Sequence, residues 1–283
     1  MSHTPLYIPS PHPYRGEGYS MRVCAPVGPY AKIVAEVKAR IAEDEDKKLI
    51  VYSDGDMVQR HLSANSAFCR AVVAMGYLSQ QQMEHAAQRY KLGMSRDGGV
   101  IFWQMGSSGK LYDGKIMYYR PDCHQDHHHK PTWVMSELKA FYLADHPDLA
   151  AGLPSVHCLF GGHLIDETSP VAVVEAEKTA FIMSELYPQY LWIAAGGMNE
   201  LTVSKLFPLR GHKIILFPDT DEDHKAYTNW YKVSKEAQFL LGQPIHLSPI
   251  LEQNATPDQK RRKIDIVDYY FETIKPRFTT KKS

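Results

Sequence analysis

From Val171 onward, short apolar runs alternate with amphipathic segments: "VAVVE" then "AEKTAFIMSELYP", "YLWIAAGG" then "NELTVSKLFPL", "HKIILFPD" then "DHKAYTNWYKVSKEAQFLLG". "PIHLSPI" supplies a fourth apolar run, and "RRKIDIVDYYFETI" reads as a last helix. A continuous apolar run bounded by turn residues suits a strand buried on both faces. An amphipathic segment between two such runs is the crossover that a parallel pair needs. The pattern therefore predicts an α/β layer, a mainly parallel sheet flanked by helices. Ligands of such sheets sit outside the carboxyl ends of the strands, so those ends are the first place to look for chemistry.

The preceding half has a different texture. Residues 1–29 are rich in Pro, Gly and Ser without sustained periodicity, which predicts an extended or disordered arm. "YAKIVAEVKARIAEDEDKK" places Ile33, Val34, Val37 and Ile41 at helical spacing. "SANSAFCRAVVAMGYL" reads as a helix ended by Gly76, and Ser79 as the cap of a second, "QQQMEHAAQRYKLG", that stops at Gly93. "DGGVIFWQMGSSGKLYDGKIMYYR" reads as antiparallel strands with "GSSG" and "DG" as turn signals. The expected organisation is an arm (1–29), a smaller α+β subdomain (30–166), the parallel-sheet domain (167–275) and a basic tail (276–283).

Formal net charge is zero, so a nucleic-acid role would need a local basic patch, for which "KRRK", Lys260 to Lys263, is a candidate. Cys24, Cys69, Cys123 and Cys158 are far apart with no CxxC, which excludes a zinc ribbon built on cysteine pairs and suggests free thiols. No apolar run approaches membrane-spanning length and no signal-peptide core opens the chain, so a soluble cytoplasmic protein without a membrane partner is expected. "CHQDHHH", Cys123 to His129, matches no familiar closed zinc spacing and reads as a polar loop. Tyr118, Tyr119 and Trp133 are candidates for stacking on bases, with burial in the hairpin as the alternative.

Two strand ends carry acids. Glu175 closes the first apolar run; Asp219 and Asp221 follow the third. Neighbouring parallel strands lie about 4.8 Å apart, so such positions can converge on one ion. Crowded carboxylates raise each other's pKa unless a cation neutralises them, and Mg²⁺, a hard ion satisfied by one or two carboxylates plus phosphate oxygens, suits the set.

At these residues the chain resembles the TOPRIM domain. "VAVVEAEKTA", "AAGGMNELT" and "IILFPDTDEDHKA" follow that domain's order: a strand ending in Glu, a middle Gly–Thr segment and a strand ending in DxD. Further upstream, "GYLSQQQMEHAAQRYKLGMS" and the hairpin are similar to the catalytic core of bacterial primases. The whole resembles primase-like TOPRIM proteins of Bacteroides-type mobile elements, as in DUF6371.

The resemblance implies Glu175, Asp219 and Asp221 as catalytic and Mg²⁺- or Mn²⁺-binding residues. It adds Asp265 and Asp268, in "KIDIVDYY", as auxiliary metal ligands. Arg120, Lys130 and Lys225 become the nucleotide- or nucleic-acid-binding cations.

Three activities remain open under it: a primase-like nucleotidyltransferase acting on single-stranded nucleic acid and nucleoside triphosphates, a TOPRIM nuclease, and a non-catalytic nucleic-acid-binding accessory. The first would work beside a helicase or mobilisation protein. The chain departs from the primase pattern in lacking a zinc ribbon, in having Thr179 where an Asp is usual, and in Asp223–His224 where a small Ala–Gly pair is usual.

Overall fold

The computed structural model describes residues 55–137 and 157–276. The expected arm, the helix expected from Tyr30 and all but the first residue of the basic tail lie outside the described residues.

Helix α1 (Gly55–His61) is followed by α2 (Ala67–Ala74) and α3 (Gln80–Arg89). The Ser66 hydroxyl accepts the Cys69 N–H at the start of α2. Ser79 and Gln82 form a reciprocal capping box at the start of α3, satisfying two N–H groups that a helix end leaves unpaired. Gly76 lies after α2 at φ +67°. The second helix ends at Arg89, ahead of the expected stop. Gly93 instead opens β1 (Gly93–Met94), where a Cβ would come within 2.8 Å of Trp103 Nε1, so close packing is what requires the glycine.

Strands β2 (Val100–Met105), β3 (Leu111–Met117) and β4 (Thr132–Trp133) complete an antiparallel sheet in the order β1-β2-β3-β4. "GSSG" is the hairpin loop, closed by Gly106 N–H donating to Lys110 O. "DG" is not a turn. Asp113 and Gly114 pair with Gln104 and Trp103 inside the ladder. Asp113 is wholly buried, and its Oδ1 accepts the backbone N–H groups of Gly114 (2.7 Å) and Met135 (3.0 Å). Burial and those bonds override the local turn preference.

The second sheet is parallel throughout: β5 (Val171–Val174), β6 (Leu191–Ala194), β7 (Ile214–Phe217) and β8 (Ile245–Leu247), in the order β6-β5-β7-β8. Its crossovers carry α4 (Glu177–Leu186), α5 (Val203–Leu206) and α6 (Lys225–Leu241). The expected second crossover helix shrinks to a single turn plus a 3₁₀ turn, Phe207–Leu209, because Pro208 has no N–H to continue the α-helical ladder. After β8 come α7 (Ile250–Asn254) and α8 (Pro257–Arg262). Lys263 then turns left-handed at φ +54°, which splits the expected last helix before α9 (Ile266–Tyr269). The π turn Tyr270–Ile274 follows directly.

The two sheets share one core. Phe68 of α2 packs on Phe102 of β2 and Phe181 of α4, each at 5.4 Å between ring centroids, and Phe160 lies 5.3 Å from Phe102. All four rings are fully buried, each contributing about 1.5–3 kcal/mol by removal from water. Phe160 exchanges two backbone bonds with Ala194, which closes the outer edge of β6. A second core, including Val173, Ile193, Leu216, Leu206 and Trp230, covers the opposite face. Among the described residues no helix is long and apolar enough to cross a membrane.

Candidate functional site

Parallel pairing of Val174 with Phe217 brings the ends of β5 and β7 out side by side. Glu175 and Asp219 leave the sheet at that edge. The Asp219 N–H donates to Glu175 Oε1 at 3.1 Å, and Gly196 N–H, from the loop after β6, donates to the Glu175 carbonyl at 2.9 Å. The Glu175 side chain is buried and Asp219 half-buried. Burial pushes the Glu175 carboxyl up to about 7, against the lowering effect of the Asp219 N–H and with the charges of Asp221 and Asp265 adding to the rise. Asp219 is raised well above the ordinary carboxylate range by burial, then by Glu175 and Asp265, while Lys178 opposes the rise.

Asp221 has a different role. Its Oδ1 accepts the N–H groups of Asp223 (2.9 Å) and Lys225 (3.0 Å), and its Oδ2 accepts Ala226 N–H (2.9 Å). These are the unpaired donors at the start of α6, whose adjacent residue His224 is left-handed and provides no side-chain cap. Burial alone would raise Asp221, but the three backbone donors hold it below the usual range.

Asp265 and Asp268 approach from the C-terminal segment and cap α9 reciprocally, Asp265 Oδ1 accepting Asp268 N–H at 2.9 Å. Asp265 Oδ2 accepts the Thr179 hydroxyl at 2.6 Å and faces Lys178 Nζ at 3.4 Å. Burial would raise Asp265, but Lys178 and the Thr179 hydroxyl lead the interactions that keep it low. Asp268 is pushed up to about 6 by burial and the Asp265 charge. Among the described residues, no three His, Cys, Asp or Glu side chains are grouped so as to hold one metal ion. The five acids named from sequence are thus divided between a strand-end pair, Glu175 and Asp219, and three helix-capping residues.

The expected cations lie on the surface. Arg120 turns to Asp122 of its own loop at 2.7 Å, Lys225 to Asp223 at 2.6 Å, and Lys130 is exposed. Three of the four cations of the "KRRK" stretch are charge-paired: Lys260 with Glu252, Arg261 with Asp258, and Arg262 with Asp258 and Glu272. Tyr119 packs on Phe68 in the core, Tyr118 stacks on His129, and Trp133 stacks on His157 at 3.6 Å. His129 pairs with Asp126 within the histidine loop. Cys69, Cys123 and Cys158 are free thiols.

Sequence reasoning did not single out Lys178 or Lys115. Lys178 sits in the first turn of α4, its side chain 11% exposed. The signal for it was a lysine in a short charged stretch between a buried strand and an apolar helix.

Residues 67–220 match the family model described as "Domain of unknown function (DUF6371)". No curated protein sequence matches. Similar solved structures include the primase fragment of the bacteriophage T7 primase-helicase protein, 14% identical over 70% of this chain and 69% of that one, TM-score 0.41. Another is a chain from the bacteriophage T7 lagging-strand DNA polymerase interacting with primase domains of two gp4 subunits bound to an RNA/DNA hybrid and dTTP, 14% identical, covering 69% and 84%, TM-score 0.42. A third is the RNA polymerase domain of Mycobacterium tuberculosis primase DnaG, 13% identical, covering 90% and 83%, TM-score 0.41. At these identities and scores the likeness assigns no residue a role. The family match spans more than half of the chain, from the start of α2 to Thr220, just beyond Asp219, and on that ground the protein belongs to the DUF6371 family.

Proposed function

We propose that this protein is a primase-like nucleotidyltransferase in which Glu175 and Asp219 hold one divalent cation, Mg²⁺ or Mn²⁺, against nucleotide phosphate. The observation that carries the reading is the Glu175–Asp219 contact at adjacent strand ends, where two enclosed carboxyl groups both have raised proton affinity. Such a pair fits the ion. Mg²⁺ uses one or two carboxylates and fills its remaining positions with water and phosphate oxygens. When bound, the ion supplies Lewis-acid stabilisation of charge on the phosphate oxygens.

The chain's own part is orientation. The Asp219 N–H fixes Glu175 Oε1, and the cap formed by Asp221 anchors α6 directly behind the acidic segment. Without an ion, Glu175 keeps a proton into the neutral range, which limits repulsion in the pair. Arg120, Lys130 and Lys225 are the candidate phosphate contacts. Phosphate would have to draw Arg120 from Asp122 and Lys225 from Asp223. Single-stranded nucleic acid, nucleoside triphosphates and a helicase or mobilisation protein are the partners this activity requires.

A second reading, a non-catalytic nucleic-acid-binding module, is favoured by the internal satisfaction of Asp221 and Asp265 through backbone, Thr179 and Lys178. The test is ribonucleotide incorporation on varied single-stranded templates with Mg²⁺ or Mn²⁺, beside an E175Q/D219N variant. Incorporation that the variant lacks supports the nucleotidyltransferase. Cleavage of labelled nucleic acid without nucleotides would point to a nuclease at the same pair. Binding without either reaction would favour the accessory module.

A further inference from the structure

Four carboxyl groups share one neighbourhood: the Thr220 N–H, next to Asp219, donates to the carbonyl of Ile264, next to Asp265, at 3.2 Å, and the charge of Asp265 acts on both Glu175 and Asp219. Where phosphate is handled at a cluster of carboxylates, a second metal ion is one way to supply further positive charge. Here the chain provides that charge itself. The Lys178 ammonium is enclosed beside Asp265, 3.4 Å from its Oδ2, with the side chains of Lys178 and Asp265 11% and 7% exposed. The same oxygen receives the Thr179 hydroxyl at 2.6 Å, and Oδ1 receives the Asp268 N–H at 2.9 Å. Both oxygens of Asp265 are therefore engaged by the chain. Thr179 also adds a neutral donor at a position where a carboxylate would have increased the negative charge.

Resting on the reading of Glu175 and Asp219 as a cation site, we propose that Lys178 is a built-in cation standing in for a second divalent ion, so that the cluster takes one ion at Glu175 and Asp219. A lysine in this place supplies charge that does not depend on metal concentration. It also leaves Asp265 and Asp268 as structural caps. Lys178 is thus a positioning residue that sets ion stoichiometry.

The test counts bound Mn²⁺ by electron paramagnetic resonance on the full chain, alongside calorimetric titration. The unaltered protein is expected to bind one ion, E175Q/D219N none, K178R one, and K178M two, because Asp265 and Asp268 lose their cation. In K178M/D265N, where both charges are gone, the count returns to one. Two ions on the unaltered protein would overturn the proposal. So would a K178M variant that still takes one ion with unchanged affinity, and this result would leave the Glu175–Asp219 site standing. No ion on the unaltered protein would overturn both. Should K178M unfold in chelator, Mn²⁺ is expected to restore its fold, and failure to do so would overturn the role of Lys178 as an ion substitute.

Discussion

Lys115 Nζ, projecting from β3 of the antiparallel sheet, lies 3.1 and 3.2 Å from the two carboxylate oxygens of Glu177 and 2.9 Å from the carbonyl oxygen of Gly196. Glu177 opens α4, two residues beyond Glu175, and Gly196 lies in the loop whose N–H holds the Glu175 carbonyl. One ammonium thus ties the first sheet to two of the segments that frame the acidic pair. The side chains are 12% and 2% exposed, so water screens the pair little.

K115M leaves the Glu177 carboxylate enclosed without its cation. Breaking one side of such a buried pair costs about 3–5 kcal/mol. Urea denaturation should register that loss, with K115M/E177Q recovering much of it because both charges are gone. Equal stability of K115M and the unaltered protein would mean the bridge contributes nothing.

Asp221 and Glu175 should separate cleanly on substitution. D221A strips three backbone N–H groups at the start of α6 of their acceptor, for a loss of about 1–2 kcal/mol. Calorimetry is expected to show Mn²⁺ still binding to D221A and not to E175Q. If D221A instead abolishes Mn²⁺ binding while its stability is untouched, Asp221 is a ligand and its capping role is secondary.

Removing charge from the strand-end pair should strengthen the ion-free fold. Glu175 is held at about 7 against an ordinary 4.5. At pH 8, E175Q is therefore expected to gain on the order of 2 kcal/mol in chelator, since a neutral amide can still accept the Asp219 N–H. The same variant should show no thermal shift with Mg²⁺ or Mn²⁺.

Dependence on pH follows with opposite signs at two places. The folded protein holds the Glu175 proton more tightly than the unfolded chain, so in chelator stability falls as pH rises from 4.5 to about 7. Asp268, raised to about 6, adds to the same fall. Asp265 is lowered, and its contribution is present above 3.8 and lost as pH drops further. Melting temperatures in chelator should fall from pH 5 to 8, while the increment from Mg²⁺ grows over that range as protons stop competing for Glu175. A flat increment would argue against Glu175 as a ligand.

Thr179 can be probed with an isosteric change. T179V removes the donor to Asp265 Oδ2 at nearly constant volume, and a hydrogen bond to a charged group is worth about 1.5–3 kcal/mol. T179S should restore most of the stability. A loss in T179S with none in T179V would place the effect in packing of the methyl group.

Much of this architecture was legible in the chain. Continuous apolar runs such as "VAVVE" and "IILFP" can be satisfied only when covered on both faces, and the crossover helices between them enforce parallel pairing. Placing Glu175 and Asp219 at strand ends follows from that pattern, and the Val174–Phe217 register sets them side by side. Local signals succeeded where the chemistry is local, as at the Ser79 capping box. They failed where a distant contact dominates. "DG" lies within β3 because Asp113 is buried and bonded to Met135, and Gly93 serves Trp103, which approaches from another strand.

Spacing along the chain thus determined the layer, its strand ends and the acids found there, because periodicity is a property of neighbouring residues. What each acid does was decided in three dimensions. Asp221 and Asp265 look like the other acids in sequence, yet one closes a helix and the other closes on Lys178 and Thr179 from a segment more than eighty residues away. A carboxylate's role depends on which donors reach it, and those donors are assembled only when the chain folds.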